Sequence, residues 1–135
     1  MAGPLTGIIV LDVTHVLAGP FAGMVLADMG AKVIKIEQPV IGDRSRASGP
    51  FIEDESFYFM SINRGKSGLT LDLKKDKGKE IFLNLVDNSD VVLENMSPGA
   101  MKRLGLGYEI LSARNQRIIY TSISGFGQTG PYSHK

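Results

Sequence analysis

Apolar residues in this chain come in short dense runs separated by polar turns. The most informative run lies near the start, Gly7-Ile-Ile-Val-Leu-Asp-Val-Thr-His-Val-Leu-Ala-Gly-Pro20. Ile8, Ile9, Val10, Leu11 and Val13 have the apolar, β-branched character of a buried strand, which Thr14-His15 then breaks. Pro20 suits the first turn of a helix, where its missing N–H would be unpaired anyway and its φ is preset. That helix continues through Phe21, Met24, Val25, Leu26 and Met29 and stops at Gly30. A second apolar strand, Lys32-Val-Ile-Lys-Ile-Glu37, follows at once. Strand, helix, strand is the βαβ unit, and open parallel sheets bind ligands beyond the carboxyl ends of their strands. Residues 14–20 lie at such an end, so a ligand is expected there.

The remaining pattern extends the same architecture. Residues 38–50 are rich in Pro, Gly and Ser and read as a loop. Residues 56–62 are apolar and fit either a short helix or a strand. Asn63-Arg-Gly-Lys66 is a turn, and residues 68–73 alternate like a half-buried strand. An amphipathic helix over 75–88 places Ile81, Leu85 and Val86 on one face. A strand over 90–95 follows. Ser97-Pro98 then opens a helix, with Ser as N-cap and Pro at the first position, and Gly105 closes it. Further helical turns cover 108–115, and a last strand over 117–124 leads into Gly125-Phe-Gly-Gln-Thr-Gly-Pro131. The alternation predicts an α/β fold, an open, mostly parallel sheet with flanking helices.

Composition narrows the class. The 135 residues are one domain's worth of chain, and 43% hydrophobic content is enough for a core. A chain that stops on a turn, Pro131-Tyr-Ser-His-Lys135, is expected to be part of a longer protein. A net charge of +1 gives no general pull toward nucleic acid or membrane. The absence of cysteine removes disulfides, thiolate metal sites and thiol nucleophiles, and fits a reducing compartment. No run is long enough to span a bilayer and no secretory leader is apparent, so a cytoplasmic location is expected. Two histidines, His15 and His134, are too few for a histidine-rich metal cluster, and no metal is expected.

The candidate chemistry sits at the strand ends. Glu37 ends the second strand, where an acid in dinucleotide folds binds ribose, or it simply ends the strand. The first turn lacks G-x-G-x-x-G; Gly19 and Gly23 are spaced G-x-x-x-G instead, which argues against a nicotinamide cofactor. His15 either meets a ligand or is a hydrogen-bonded loop residue. Arg44, Arg46, Arg64, Lys66, Lys74 and Arg103 fall in loops and would suit a polyphosphorylated ligand or an ordinary solvated surface. The residues alone lead to the expectation of a nucleotide-like ligand on an incomplete α/β sheet, and no further.

Six segments, in order and in register, extend this. They are Leu11-Asp-Val-Thr-His-Val-Leu-Ala-Gly-Pro20, Leu26-Ala-Asp-Met-Gly-Ala-Lys-Val-Ile-Lys-Ile-Glu37, Gly42-Asp43, Asn63-Arg-Gly-Lys66 with Leu71-Asp-Leu-Lys74, Asp90-Val-Val-Leu-Glu-Asn-Met-Ser-Pro-Gly99 and Ser124-Gly-Phe-Gly-Gln-Thr-Gly-Pro131. Together they resemble the N-terminal part of the class III CoA-transferases, the family of formyl-CoA transferase, carnitine CoA-transferase and α-methylacyl-CoA racemase. The resemblance implies that residues 1–135 are the CoA-binding N-terminal part of a Rossmann-like large domain in an interlocked homodimer. It implies coenzyme A, as acyl-CoA, and a carboxylic acid acceptor as partners. It maps CoA contacts onto His15, Val16, Leu17 and Ala18 of the first loop. Gln38, Leu71, Lys74, Asn95, Met96, Arg103 and Leu104 would supply the adenine, phosphate and pantetheine contacts.

The family's transferases use an aspartate as nucleophile on the acyl-CoA thioester. The resemblance places that aspartate, and the His–Asp pair of the racemases, beyond Lys135. On that reading the chain by itself carries no catalytic residue and gives no turnover. Three departures bear on substrate. Leu17 stands where formyl-CoA transferases have Gln, which argues against the oxalate–formate pair. Gln38 stands where those enzymes often have Arg, and Met96 replaces an aromatic residue, exchanging a stacking contact for a thioether. The expected activity is CoA transfer between acids such as dicarboxylates or carnitine-like acids. The alternatives are an α-methylacyl-CoA racemase on the same scaffold and a non-catalytic CoA-binding fragment with exposed apolar edges.

Overall fold

The computed structural model of the protein describes residues 3–133. Five parallel strands form one sheet: β1 (Ile9–Asp12), β2 (Lys32–Glu37), β5 (Ser67–Thr70), β6 (Val91–Glu94) and β7 (Ile119–Ser122). Their spatial order is β5-β2-β1-β6-β7. The chain therefore runs outward from β1 to one edge, then returns to pair β6 on the other side of β1. The loops after β1 and β6 leave in opposite directions, which creates a crevice at the carboxyl ends of the strands.

Both faces of the central strand are covered. Val10 and Leu11 point to opposite faces and neither is exposed, so β1 reads as a continuous apolar run. Helix α1 (Ala18–Asp28) lies on the face that holds Val10, Val33 and Leu93, packed by Leu26 and Ala27. Helix α3 (Asp76–Val86), with α4 (Ala100–Arg103) and α5 (Tyr108–Arg114), closes the other face over Leu11, Val92, Phe82, Val86 and Leu111. The G-x-x-x-G pair lets α1 approach β1. A Cβ on Gly19 would stand 2.3 Å from the Thr14 Cβ.

The elements differ from expectation in several places. The strand expected over 68–73 ends at Thr70, and on α3 Ile81 turns outward while Phe82 takes the buried face. Residues 56–62 resolve as helix: α2 (Phe57–Asn63), whose first turn is capped by the Ser56 hydroxyl accepting the Phe59 N–H at 3.1 Å. The 38–50 loop contains a 3₁₀ turn, Arg44–Ala47, set by Asp43, and leads into a small hairpin of β3 (Phe51–Ile52) and β4 (Glu55–Ser56). Ser97 does not cap the fourth helix. Gly99, at φ 74°, precedes Ala100 instead and no side chain caps the turn, so Ser97 and Pro98 belong to the loop. His134 lies outside the described residues.

Candidate functional site

A cavity of about 670 Å³ opens at the carboxyl ends of β1, β2, β5 and β6, within the size range of ligand pockets. Its floor is apolar, from Val13, Ile36, Leu71, Leu73, Met96 and Leu104. Its rim carries Arg44, Lys74 and Arg103, all exposed. His15 and Gln38 complete the walls.

The resemblance-derived residues divide in two. His15, Gln38, Leu71, Lys74, Met96, Arg103 and Leu104 line this cavity. Val16, Leu17 and Ala18 lie beyond its wall, exposed where the β1–α1 loop turns into the helix. Asn95 is behind the wall: its amide accepts the His15 N–H at 2.9 Å and donates to the His15 carbonyl at 2.8 Å. It extends the β1–β6 ladder by a side chain. Asn95 thus shapes the site without facing the cavity.

Of the loop cations, only Arg44, Lys74 and Arg103 face the cavity. Arg46 is committed to Glu37 through two hydrogen bonds of 2.7 and 2.8 Å and stacks over Phe59 at 3.7 Å. Arg64 pairs with Asp28, and Lys66 is buried against Asp12 at 2.7 Å. Glu37 is correspondingly engaged. Burial would raise its carboxyl, but Arg46 and the Asp43 N–H outweigh that and hold it below the usual range. An acid already neutralised in this way is a poor ribose acceptor, which fits the missing dinucleotide fingerprint.

Beneath the cavity lies a set of buried charges that sequence reasoning left unassigned. Lys35 Nζ lies 2.8 Å from Asp43 Oδ2 and donates to the Thr14 carbonyl at 2.8 Å; both charged side chains are at most 2% exposed. Burial would raise the Asp43 carboxyl, yet Lys35 and the N–H groups of Ser45 and Val16 hold it down at about 2. Asp12 accepts both the N–H and the hydroxyl of Thr14. Glu94, buried at the end of β6, accepts the Met96 N–H at 2.8 Å and the Ser122 hydroxyl. Burial and the Glu94 charge push the Tyr120 phenol up. The signal for these residues was present. A lysine inside Val33-Ile-Lys-Ile36 must be buried with the strand, and a buried ammonium demands an acid. His15 itself is half-buried, and that burial pulls its imidazole below the usual value, favouring the neutral ring at pH 7.

Among the described residues no group of three or more His, Asp or Glu side chains could hold a metal, and no helix is long and apolar enough to cross a membrane. Fold and site define a parallel α/β protein with a cation-rimmed, apolar-floored crevice at its topological switch point. Residues 5–135 match CoA-transferase family III, and the chain belongs to that family. It is 52% identical over 132 residues to an acetyl-CoA:oxalate CoA-transferase of Acetobacter aceti, an alignment covering 98% of this chain and 34% of the relative. It is 49% identical to a succinyl-CoA:glutarate CoA-transferase of Mus musculus, covering 98% and 30%. A CAIB/BAIF family protein from Brucella suis superposes with a TM-score of 0.94 at 43% identity, covering 100% of this chain and 37% of that one. The chain thus spans about a third of the length of the relatives it matches.

Proposed function

We propose that this chain supplies the CoA-binding face of an acyl-CoA:carboxylate CoA-transferase that moves CoA between short dicarboxylates. One observation carries the proposal. A single cavity joins an apolar floor, suited to pantetheine, to three rim cations, suited to phosphates, in a chain of CoA-transferase family III. Lys74, Arg103 and Arg44 would hold the phosphates; Leu71, Leu104 and Met96 would meet the adenine and pantetheine. His15, Val16, Leu17 and Ala18 would border the thioester end, and Gln38 the nucleotide end. Both relatives described above are named for dicarboxylate acceptors, which supports that class over carnitine-like acids.

In this reading an aspartate attacks the thioester carbonyl and CoA leaves as thiolate, giving a mixed anhydride. The thiolate then attacks the aspartyl carbonyl and releases the donor acid. The acceptor carboxylate displaces CoA again, and CoA attack on the new anhydride frees the aspartate. Three carboxylates of the cavity are already engaged: Asp43 with Lys35, Glu37 with Arg46, and Asp72 with the Lys74 N–H. By the family resemblance the nucleophile is expected outside residues 1–135, in the part of the relatives that this chain does not cover. By the same family resemblance the working enzyme is a homodimer.

The test is isotope exchange by the protein at the full length of its relatives, with succinyl-CoA or acetyl-CoA as donor and labelled oxalate or glutarate as acceptor. Label appearing in the CoA thioester supports the proposal. No exchange with any dicarboxylate overturns it.

A further inference from the structure

The β1–α1 loop is held in a conformation its own residues disfavour. Val16 has φ 72°, in the left-handed region that β-branched residues avoid. Its side chain is 43% exposed, so packing does not hold it there. Its N–H instead donates to Asp43 Oδ1 at 3.0 Å, from a residue 27 positions away. That same oxygen accepts the N–H and hydroxyl of Ser45, at 2.9 and 2.8 Å, while Lys35 holds the other oxygen. Asp43 is in turn fixed from behind by Glu37, which accepts its N–H at 2.8 Å and is itself gripped by Arg46. Three further buried or half-buried side chains fix the neighbouring backbone: Asp12 and Lys35 at Thr14, and Asn95 at His15. Side chains from β1, β2 and the loops after β2 and β6 thus converge on residues 14–16.

We propose that Asp43 is a positioning residue, which holds Val16 left-handed through its N–H and so presets the His15–Ala18 turn against the cavity. The consequence for binding rests on the CoA reading above. A ligand touching both the first loop and the 38–44 loop meets a wall already ordered, with no loop to organise on binding. Strain of this kind persists only where the surroundings over-determine it, and here they are buried charges.

The test uses the purified chain as Asp43→Asn, Val16→Gly and the double variant. It combines amide hydrogen exchange by NMR with calorimetric titration of CoA. In Asp43→Asn one carbonyl oxygen must serve Lys35, Ser45 and Val16, so the Val16 amide should lose protection while the β1 and β2 amides keep theirs. CoA affinity should fall about tenfold, the scale of one lost hydrogen bond. Glycine adopts positive φ without cost, so adding Val16→Gly should bring affinity back to within about threefold of the parent. A structural role for Asp43, or direct contact with ligand, would show no such rescue. Retained Val16 protection in Asp43→Asn, or absent rescue, overturns the proposal. If Asp43→Asn does not fold, the melting temperature of Val16→Gly decides: unchanged or raised supports a strained Val16, lowered by several degrees refutes it. A parent chain that binds no CoA defeats the CoA reading, while amide exchange still decides the role of Asp43.

Discussion

Gly23 in α1 faces Lys66 across a gap that no side chain can occupy. A Cβ at position 23 would lie 2.6 Å from Asp12 Oδ2 and 3.1 Å from Lys66 Nζ. The ammonium also donates to the Pro20 carbonyl and to Asn63, at 2.8 Å each, so it joins β1, α1 and the end of α2. Burial lowers its pKa. The helix therefore rests on a buried ion pair as well as on its apolar contacts through Leu26 and Ala27, and the glycine makes room for the pair. Gly23→Ala should destabilise by about 1–3 kcal/mol despite alanine's better helix propensity, because the new methyl must displace paired charges. Urea denaturation checks this; a midpoint at or above the parent's would contradict it.

Asp43 makes stability acid-sensitive. Its folded pKa of about 2 lies below the ordinary 3.8, so the unfolded chain takes up this proton first. The contribution is fully present above pH 4 and is lost as pH falls toward 2. The shift corresponds to about 2 kcal/mol. Melting temperature against pH should therefore drop through that window more steeply in the parent than in Asp43→Asn. Parallel curves would show that Asp43 is not the titrating group.

Phe82 joins α3 to the sheet and has no exposed surface. Phe82→Ala should cost about 3–5 kcal/mol, the range for a large buried aromatic. Ile81, its exposed neighbour on the same helix, should cost far less when truncated. Equal losses in urea denaturation would contradict the assignment of the α3 face.

On the rim, Lys74→Ala and Arg103→Ala should each weaken CoA binding roughly tenfold, as expected for a lost charged hydrogen bond. Both losses should shrink as salt is raised, since the rim is exposed. Arg64→Ala, on a side chain paired with Asp28, serves as the control and should leave binding unchanged.

The sequence made the strands and long helices legible because their signals are local. The β-branched run before Thr14, Pro20 in the first turn of α1 and the apolar period of α3 each act within a few residues, although the α3 pattern put Ile81 on the face that Phe82 occupies. Ser97-Pro98 misled for the same reason: a cap motif carries no information about Gly99, whose φ of 74° ends the loop two residues later. Seven of the eleven residues named through the family resemblance line the cavity, while Val16, Leu17, Ala18 and Asn95 do not, and the buttressing was not legible at all. Lys35 with Asp43, Lys66 with Asp12 and Asn95 with His15 are pairings between distant segments, and only the sheet order brings them together. Basic residues in loops looked alike on paper. Folding separates Arg103 at the rim from Lys66 in the interior.

The function proposed for this chain depends on the cavity at the strand ends being a CoA site. Calorimetric titration of CoA into the purified chain, with its mass in solution recorded alongside, tests it most directly. Saturable binding at one site per chain is expected, weakened by Arg103→Ala and by rising salt. A folded, monodisperse chain that gives no binding heat with CoA would contradict it.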